Sequence, residues 1–184
     1  LGWARGAGRV EGGRGRGGGW PGRDVGLSKG DEQRFGGNSV CGGRAAREFY
    51  LKAFERVWKA AKPATLMCAY NAINGMFCSE NEWLLTDILR KEWGFEGVVI
   101  TDYAAIAELI AHGVAKDKQE AAYLAMEAGV AIDMCTGCSA GSLEERIRER
   151  ALSEEPLGAA VWRGLCLKTQ PGRTARSLRG ARAE

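Results

Sequence analysis

Histidine occurs once in the 184 residues, at His112. A tetrahedral zinc shell on the Cys135-x-x-Cys138 spacing would need a second cysteine pair or suitable histidines. Neither accompanies it, so no metal and no cofactor are expected. No run of about 18 apolar residues exists to cross a bilayer as a helix, and no membrane partner is expected. No early apolar stretch follows Leu1, so no secretion leader is visible. The six cysteines, at 41, 68, 78, 135, 138 and 166, are scattered through a chain that can build an apolar core. They imply no disulfide framework.

Aromatic and periodic apolar residues are scarce at both ends. Residues 1–43 hold sixteen glycines and six arginines around Gly12-Gly13-Arg14-Gly15-Arg16-Gly17-Gly18-Gly19, with only Trp3, Trp20 and Phe35 for aromatics. Such a segment buries too little surface to offset its ordering entropy and is expected to be disordered. Residues 169–184 form a basic tail, with Arg173, Arg176, Arg179 and Arg182 at a spacing of three. The formal charge is net +4 over residues 1–50, −4 over 51–168 and +3 over the tail, so the excess positive charge lies in the flanks. Two explanations compete for them: genuine basic arms, or ends of a gene model truncated or read out of frame. A basic Arg/Gly arm can bind RNA by neutralising phosphates and stacking on bases. The missing aromatic interleaving argues against such a stacking platform, and nucleic acid is not the expected partner.

The middle, residues 44–168, reads as alternating helices and buried strands. Helices are expected over 45–61, with a stripe of Phe49, Ala53, Phe54, Val57 and Trp58, and over 81–92, 104–111, 118–128, 143–150 and 156–168. Strands are expected over 64–70, 98–101 and 130–134, with a polar loop at 71–79. Gly113 and Gly129 are placed to end helices in the left-handed conformation. Val98-Val99-Ile100 follows the turn-like Trp93-Gly94-Phe95-Glu96-Gly97 and reads as a parallel strand buried on both faces. It ends on Thr101-Asp102-Tyr103. In α/β folds the carboxyl ends of parallel strands carry the chemistry, so Asp102 is a candidate nucleophile. It is equally a good helix N-cap, its side chain accepting from a first-turn N–H, and the two roles are compatible.

Five ordered blocks turn this reading toward a family. They are Arg47-Glu48-Phe49-Tyr50-Leu51 with Ala53-Phe54; Leu66-Met67-Cys68-Ala69-Tyr70-Asn71-Ala72-Ile73-Asn74-Gly75; Asn81 through Arg90; Glu92-Trp93-Gly94-Phe95-Glu96-Gly97 continuing to Tyr103; and Ala128-Gly129-Val130 with Asp133-Met134. Together they resemble the catalytic barrel domain of glycoside hydrolase family 3, the β-glucosidase and β-xylosidase type, and most the bacterial periplasmic β-glucosidase branch. A weaker echo runs from Leu152 to Lys168, like the helix that closes this barrel.

The resemblance implies an α/β fold comprising the C-terminal part, about three β/α units, of a TIM-type barrel. It implies retaining, exo-acting hydrolysis of terminal β-D-glucosyl or xylosyl residues, with a β-glucoside or oligosaccharide as substrate. Asp102 falls on the family's nucleophile, Met67 and Tyr70 on the floor of the sugar site, and Tyr103 on a surface offered to the leaving group. Met67 is also a natural core filler, and Tyr103 an ordinary amphipathic tyrosine at a loop mouth. Asn71, Asn74 and Gly75 suit loop geometry that needs left-handed backbone. The acid/base partner is expected outside this chain and is not assigned to Glu80, Glu82 or Glu108. The family's sugar-holding Lys-His pair finds no counterpart, since His112 follows Asp102 and reads as a helix-end residue favourable with the dipole. Ala131 stands where the family has an acid. A complete barrel takes about 250 residues, so the 184 residues alone are expected to be inactive, with exposed strand edges that favour aggregation. The family is often exported, and location stays open.

Overall fold

The computed structural model describes residues 38–140, 142–148 and 153–169. Both Arg-rich flanks read above fall almost wholly outside these residues. The order of elements is β1 (Asn38–Ser39), a helix α1 that runs from Gly43–Ala45 through Ala46–Leu51 into Lys52–Ala61, β2 (Thr65–Met67), β3 (Ala72–Ile73), β4 (Met76–Phe77), α2 (Trp83–Glu92), β5 (Val98–Ile100), α3 (Ala105–Ala111), α4 (Lys118–Ala128), α5 (Ser142–Arg148) and α6 (Glu155–Thr169).

Two sheets organise these elements. In one, β2 and β5 are parallel, with Thr65, Leu66 and Met67 opposite Val98, Val99 and Ile100. Ile132 joins on the far side of β5 as a single parallel bridge to Ile100. The third strand expected over 130–134 is thus reduced to one bridge. The N–H groups of Ala131 and Ile132 both donate to Val99 O, at 2.9 and 3.2 Å, and Thr101 N–H donates to Ile132 O at 3.0 Å. In the other sheet β3 lies between β1, parallel, and β4, antiparallel. The expected loop at 71–79 therefore contains a two-strand hairpin. Asn74 and Gly75 take positive φ, 54° and 83°, at its tip, whereas Asn71 is absent from the left-handed residues. The Asn74 side-chain amide meets both main-chain groups of Cys41 at 2.8 Å, which fastens the tip to the start of α1.

Strict alternation along β2 and β5 divides their side chains. Leu66, Cys68 and Val99 pack into the main apolar core with Leu84, Leu85, Ile88 and Leu89 of α2. Val98 and Val99 have no exposed surface. Full burial of each contributes roughly 1.5–3 kcal/mol. Helix α1 corrects the expected stripe. Its turn Ala46–Leu51 is wound so that its buried positions, Ala46 and Leu51, lie five residues apart, and the inward stripe slips by one residue. Phe49 is left 76% exposed, while Phe54, Val57 and Trp58 stay half-buried.

The turn before β5 is held from two sides. Trp58 Nε1 donates to Trp93 O at 2.9 Å, and its ring meets Phe95 edge-on with centroids 5.3 Å apart. Arg90 donates from Nη1 to Phe95 O and Gly97 O and from Nη2 to Gly129 O, at 3.3, 3.2 and 2.7 Å. Burial, with the nearby Arg163 charge, draws this guanidinium down to about 10. One side chain thereby ties the entry of β5 to the end of α4. Helix α4 begins and ends as its sequence requires: Asp117 accepts from Glu120 N–H at 2.8 Å, Glu120 accepts in return from Lys116 N–H at 2.9 Å, and Gly129 closes it at φ 116°.

Candidate active site

The site grows from the carboxyl end of β5. Thr101 has no exposed surface and Asp102 is 6% exposed, whereas Tyr103 is 63% exposed. The parallel order of β2, β5 and the Ile132 bridge places Asp102 at the strand end where an α/β layer is open to ligand. Continuing the alternation of β5 puts Asp102 on the same face as Ile100, whose partner in the register is Met67.

Asp102 does not cap the following helix with its side chain. Its Oδ1 accepts from Tyr103 N–H at 2.8 Å, while Ala105 N–H reaches the Asp102 carbonyl at 3.3 Å. The residue at the start of α3 is instead Ala104, held left-handed at φ 58°, with no side-chain cap. A non-glycine residue in that region is uncommon. The turn that carries Asp102 is therefore a sharp one. Residues 132–134 brace it: Thr101 N–H donates to Ile132 O, Met134 N–H donates to Thr101 Oγ1 at 2.9 Å, and Ala104 N–H donates to Met134 O at 3.0 Å.

Tyr70 and Tyr103 are brought together. The Tyr70 hydroxyl donates to the Tyr103 carbonyl, joining the exit of β2 to the turn after β5. The Tyr103 ring stays available at the surface. Met67 is half-buried and borders an apolar cavity of about 60 Å³ with Trp58, Leu66, Leu85, Ile88 and Val99. Beneath the turn lies Cys68. Burial pushes its thiol up from the ordinary 9.0 to about 12, against the opposing pull of hydrogen bonding from its own and the Asp102 backbone.

The other singled-out residues have structural partners. Glu80 accepts from Phe77 N–H at 3.1 Å, and burial raises its carboxyl. His112 ends α3 as expected, but its ring also stacks on Phe77, with centroids 4.3 Å apart and planes 15° from parallel. That contact links the β3–β4 hairpin to the helix after Asp102. Ala131 is half-buried and donates its N–H to Val99 O. Cys135 is exposed and Cys138 buried, both as free thiols. Among the described residues no group of three His, Cys, Asp or Glu side chains gathers to hold a metal. No described helix is long and apolar enough to cross a membrane.

Thr101, Met134 and Cys68 were not foreseen as contributors to the site. Thr101 reads in sequence as one more β-branched strand residue, and the role of Met134 lies in its main chain, which leaves no mark in sequence.

Known proteins resemble this chain in sequence and in fold. Residues 37–166 match the model of the glycosyl hydrolase family 3 N terminal domain. The chain is 58% identical over 62 residues to an exo-alpha-(1->6)-L-arabinopyranosidase of Bifidobacterium breve, covering 34% of this chain and 8% of that protein. It is 33% identical over 135 residues to thermostable beta-glucosidase B of Acetivibrio thermocellus, covering 72% and 16%. In three dimensions it superposes on the crystal structure of a beta-glucosidase from Listeria innocua with TM-score 0.74 and 38% identity, over 80% of this chain and 20% of that one. The chain thus spans about a fifth or less of the length of these relatives. The family match covers most of the chain and includes every element that builds the turn around Asp102: this protein belongs to glycosyl hydrolase family 3, through that family's N-terminal domain.

Proposed function

We propose that the chain is the nucleophile-bearing, C-terminal part of a family 3 barrel, about three β/α units within residues 44–168, from a retaining and exo-acting β-glycosidase. The observation that carries this reading is the position of Asp102. It is a buried carboxylate at the carboxyl end of a parallel strand, beside an exposed tyrosine and on the face shared with Ile100 and Met67. In a retaining reaction an ionised carboxylate attacks the anomeric carbon while a protonated one about 5 Å away donates to the departing oxygen. Asp102 takes the first role: its oxygen bonds to C1, the bond from C1 to the leaving oxygen breaks with its electron pair, and water later releases the sugar. The second carboxyl belongs to a part of the enzyme outside these residues. Tyr103 offers its ring to the leaving group, and Met67 and Tyr70 contribute to the floor beneath the sugar.

The substrate class follows the relatives. A variant of the Listeria innocua beta-glucosidase was solved in complex with laminaribiose, a β-linked glucose disaccharide. An arabinopyranosidase is similar over the 62-residue stretch of high identity. An α-L-arabinopyranoside also carries its leaving group equatorially, so the same attack serves it, and this is the second substrate to test.

A leaving group that departs as a stable anion needs no proton donor. The chain alone is therefore expected to release about one equivalent of dinitrophenolate from a 2,4-dinitrophenyl 2-deoxy-2-fluoro-β-D-glucoside and to leave cellobiose intact. Steady hydrolysis of cellobiose by the chain alone would show that an acid/base group lies within it, contrary to this reading. A burst with the corresponding arabinopyranoside and none with the glucoside would reassign the sugar.

A further inference from the structure

We propose that Thr101 is a positioning residue for the reaction, its hydroxyl replacing a main-chain acceptor to hold the Asp102 turn in attacking position. The inference rests on the nucleophile role proposed for Asp102. Regular pairing between β5 and its neighbour ends at the single bridge Ile100↔Ile132. That bridge is made by Ile132 N–H to Val99 O at 3.2 Å and Thr101 N–H to Ile132 O at 3.0 Å. The next N–H of the neighbouring segment, that of Met134, goes to the Thr101 side chain at 2.9 Å. Met134 O then accepts from Ala104 N–H at 3.0 Å. Met134 is thereby fixed through both main-chain groups, to the residues on either side of Asp102-Tyr103.

Two features make this brace matter to the chemistry. Ala104 is left-handed at φ 58°, a conformation an alanine does not choose alone, so the turn needs support from outside itself. The Asp102 carboxylate is oriented by Tyr103 N–H at 2.8 Å, so any relaxation of the turn moves the carboxylate with it. Displacement of a reacting group by about 1 Å can cost on the order of a hundredfold in rate. By alternation Thr101 points to the opposite face from Asp102, where it has no exposed surface. It touches no substrate and acts only through the turn.

Thr101→Val keeps the shape and β-branching but removes the acceptor, and Thr101→Ser restores it. Thr101→Ala serves as a second deletion should the valine variant not fold, as checked by circular dichroism. Two readouts apply to the full chain: amide hydrogen exchange at Met134 and Ala104, and saturation kinetics of covalent labelling by 2,4-dinitrophenyl 2-deoxy-2-fluoro-β-D-glucoside. The valine variant is expected to exchange at Met134 about tenfold faster and to label about tenfold more slowly at saturation. Its half-saturating concentration should stay unchanged, and serine should recover both rates. Wild-type labelling kinetics in the valine variant, or a change confined to half-saturation, would overturn the positioning role while leaving Asp102 as nucleophile. Unchanged exchange at Met134 would overturn the brace itself. Absence of any label in the unsubstituted chain would overturn the nucleophile reading, and this inference with it.

Discussion

Tyr70 donates its phenolic hydroxyl to the main-chain carbonyl of Tyr103, so the residue that leaves β2 holds the residue that follows Asp102. The bond joins the segments that leave two neighbouring parallel strands, β2 and β5, beside Asp102. Tyr70→Phe keeps the ring and deletes only this donor. It should lower stability by about 1 kcal/mol and slow covalent labelling at Asp102 without abolishing it. Denaturant unfolding and labelling rates on the same sample check both parts. Unchanged labelling with lowered stability would make the bond a fold contact only.

Gly97 is the tightest backbone approach among the described glycines. A Cβ there would stand 2.3 Å from Ala64 O and 2.7 Å from the Phe95 ring. Both are fixed, the carbonyl by Val98 N–H and the ring by Trp58. Gly97→Ala should therefore destabilise the chain by about 1–3 kcal/mol, read as a lower unfolding midpoint. A midpoint equal to that of the parent would show that the entry to β5 is looser than this packing implies.

The thiols separate by burial. Cys68 is pushed up to about 12 and Cys78 is raised as well, both chiefly by burial, while Cys135 is exposed. At pH 8 a thiol with a pKa near 12 is ionised to roughly one part in ten thousand, so a thiol reagent should label Cys135 and spare Cys68 and Cys78. Peptide mapping after brief alkylation tests this. The same shifts carry a pH dependence. The folded state keeps protons that the unfolded state releases above the ordinary thiol range, so stability is full below about pH 9 and falls as pH rises toward 12. Cys68→Ala should flatten that decline in a pH series of unfolding midpoints.

Much of this architecture was legible in the residues. Val98-Val99-Ile100 reads as a buried parallel strand and is one. Gly113 and Gly129 mark helix ends that stand where they indicate, because caps are local chemistry. Phe49 shows what periodicity alone misses: a turn with an extra residue in α1 shifts the stripe, and only packing decides where that turn falls. The third strand failed as a pattern for a related reason. Val130-Ala131-Ile132 has the apolar character of a strand, but its length depends on which acceptors β5 offers. The braces of the site were the least visible. Arg90 looks like a surface helix residue until its carbonyl partners at Phe95, Gly97 and the distant Gly129 are assembled around it. Thr101 and Met134 act through a hydroxyl and a peptide unit, and composition does not distinguish such roles.

The most direct test of the account is mass mapping of the covalent adduct formed with 2,4-dinitrophenyl 2-deoxy-2-fluoro-β-D-glucoside, on the parent chain and on Asp102→Asn. The expected result is a single fluoroglucosyl mass on the peptide containing Asp102, absent from the asparagine variant although that variant melts at a similar temperature. A label on another residue, or one that persists in Asp102→Asn, would contradict the assignment of Asp102 as the nucleophile.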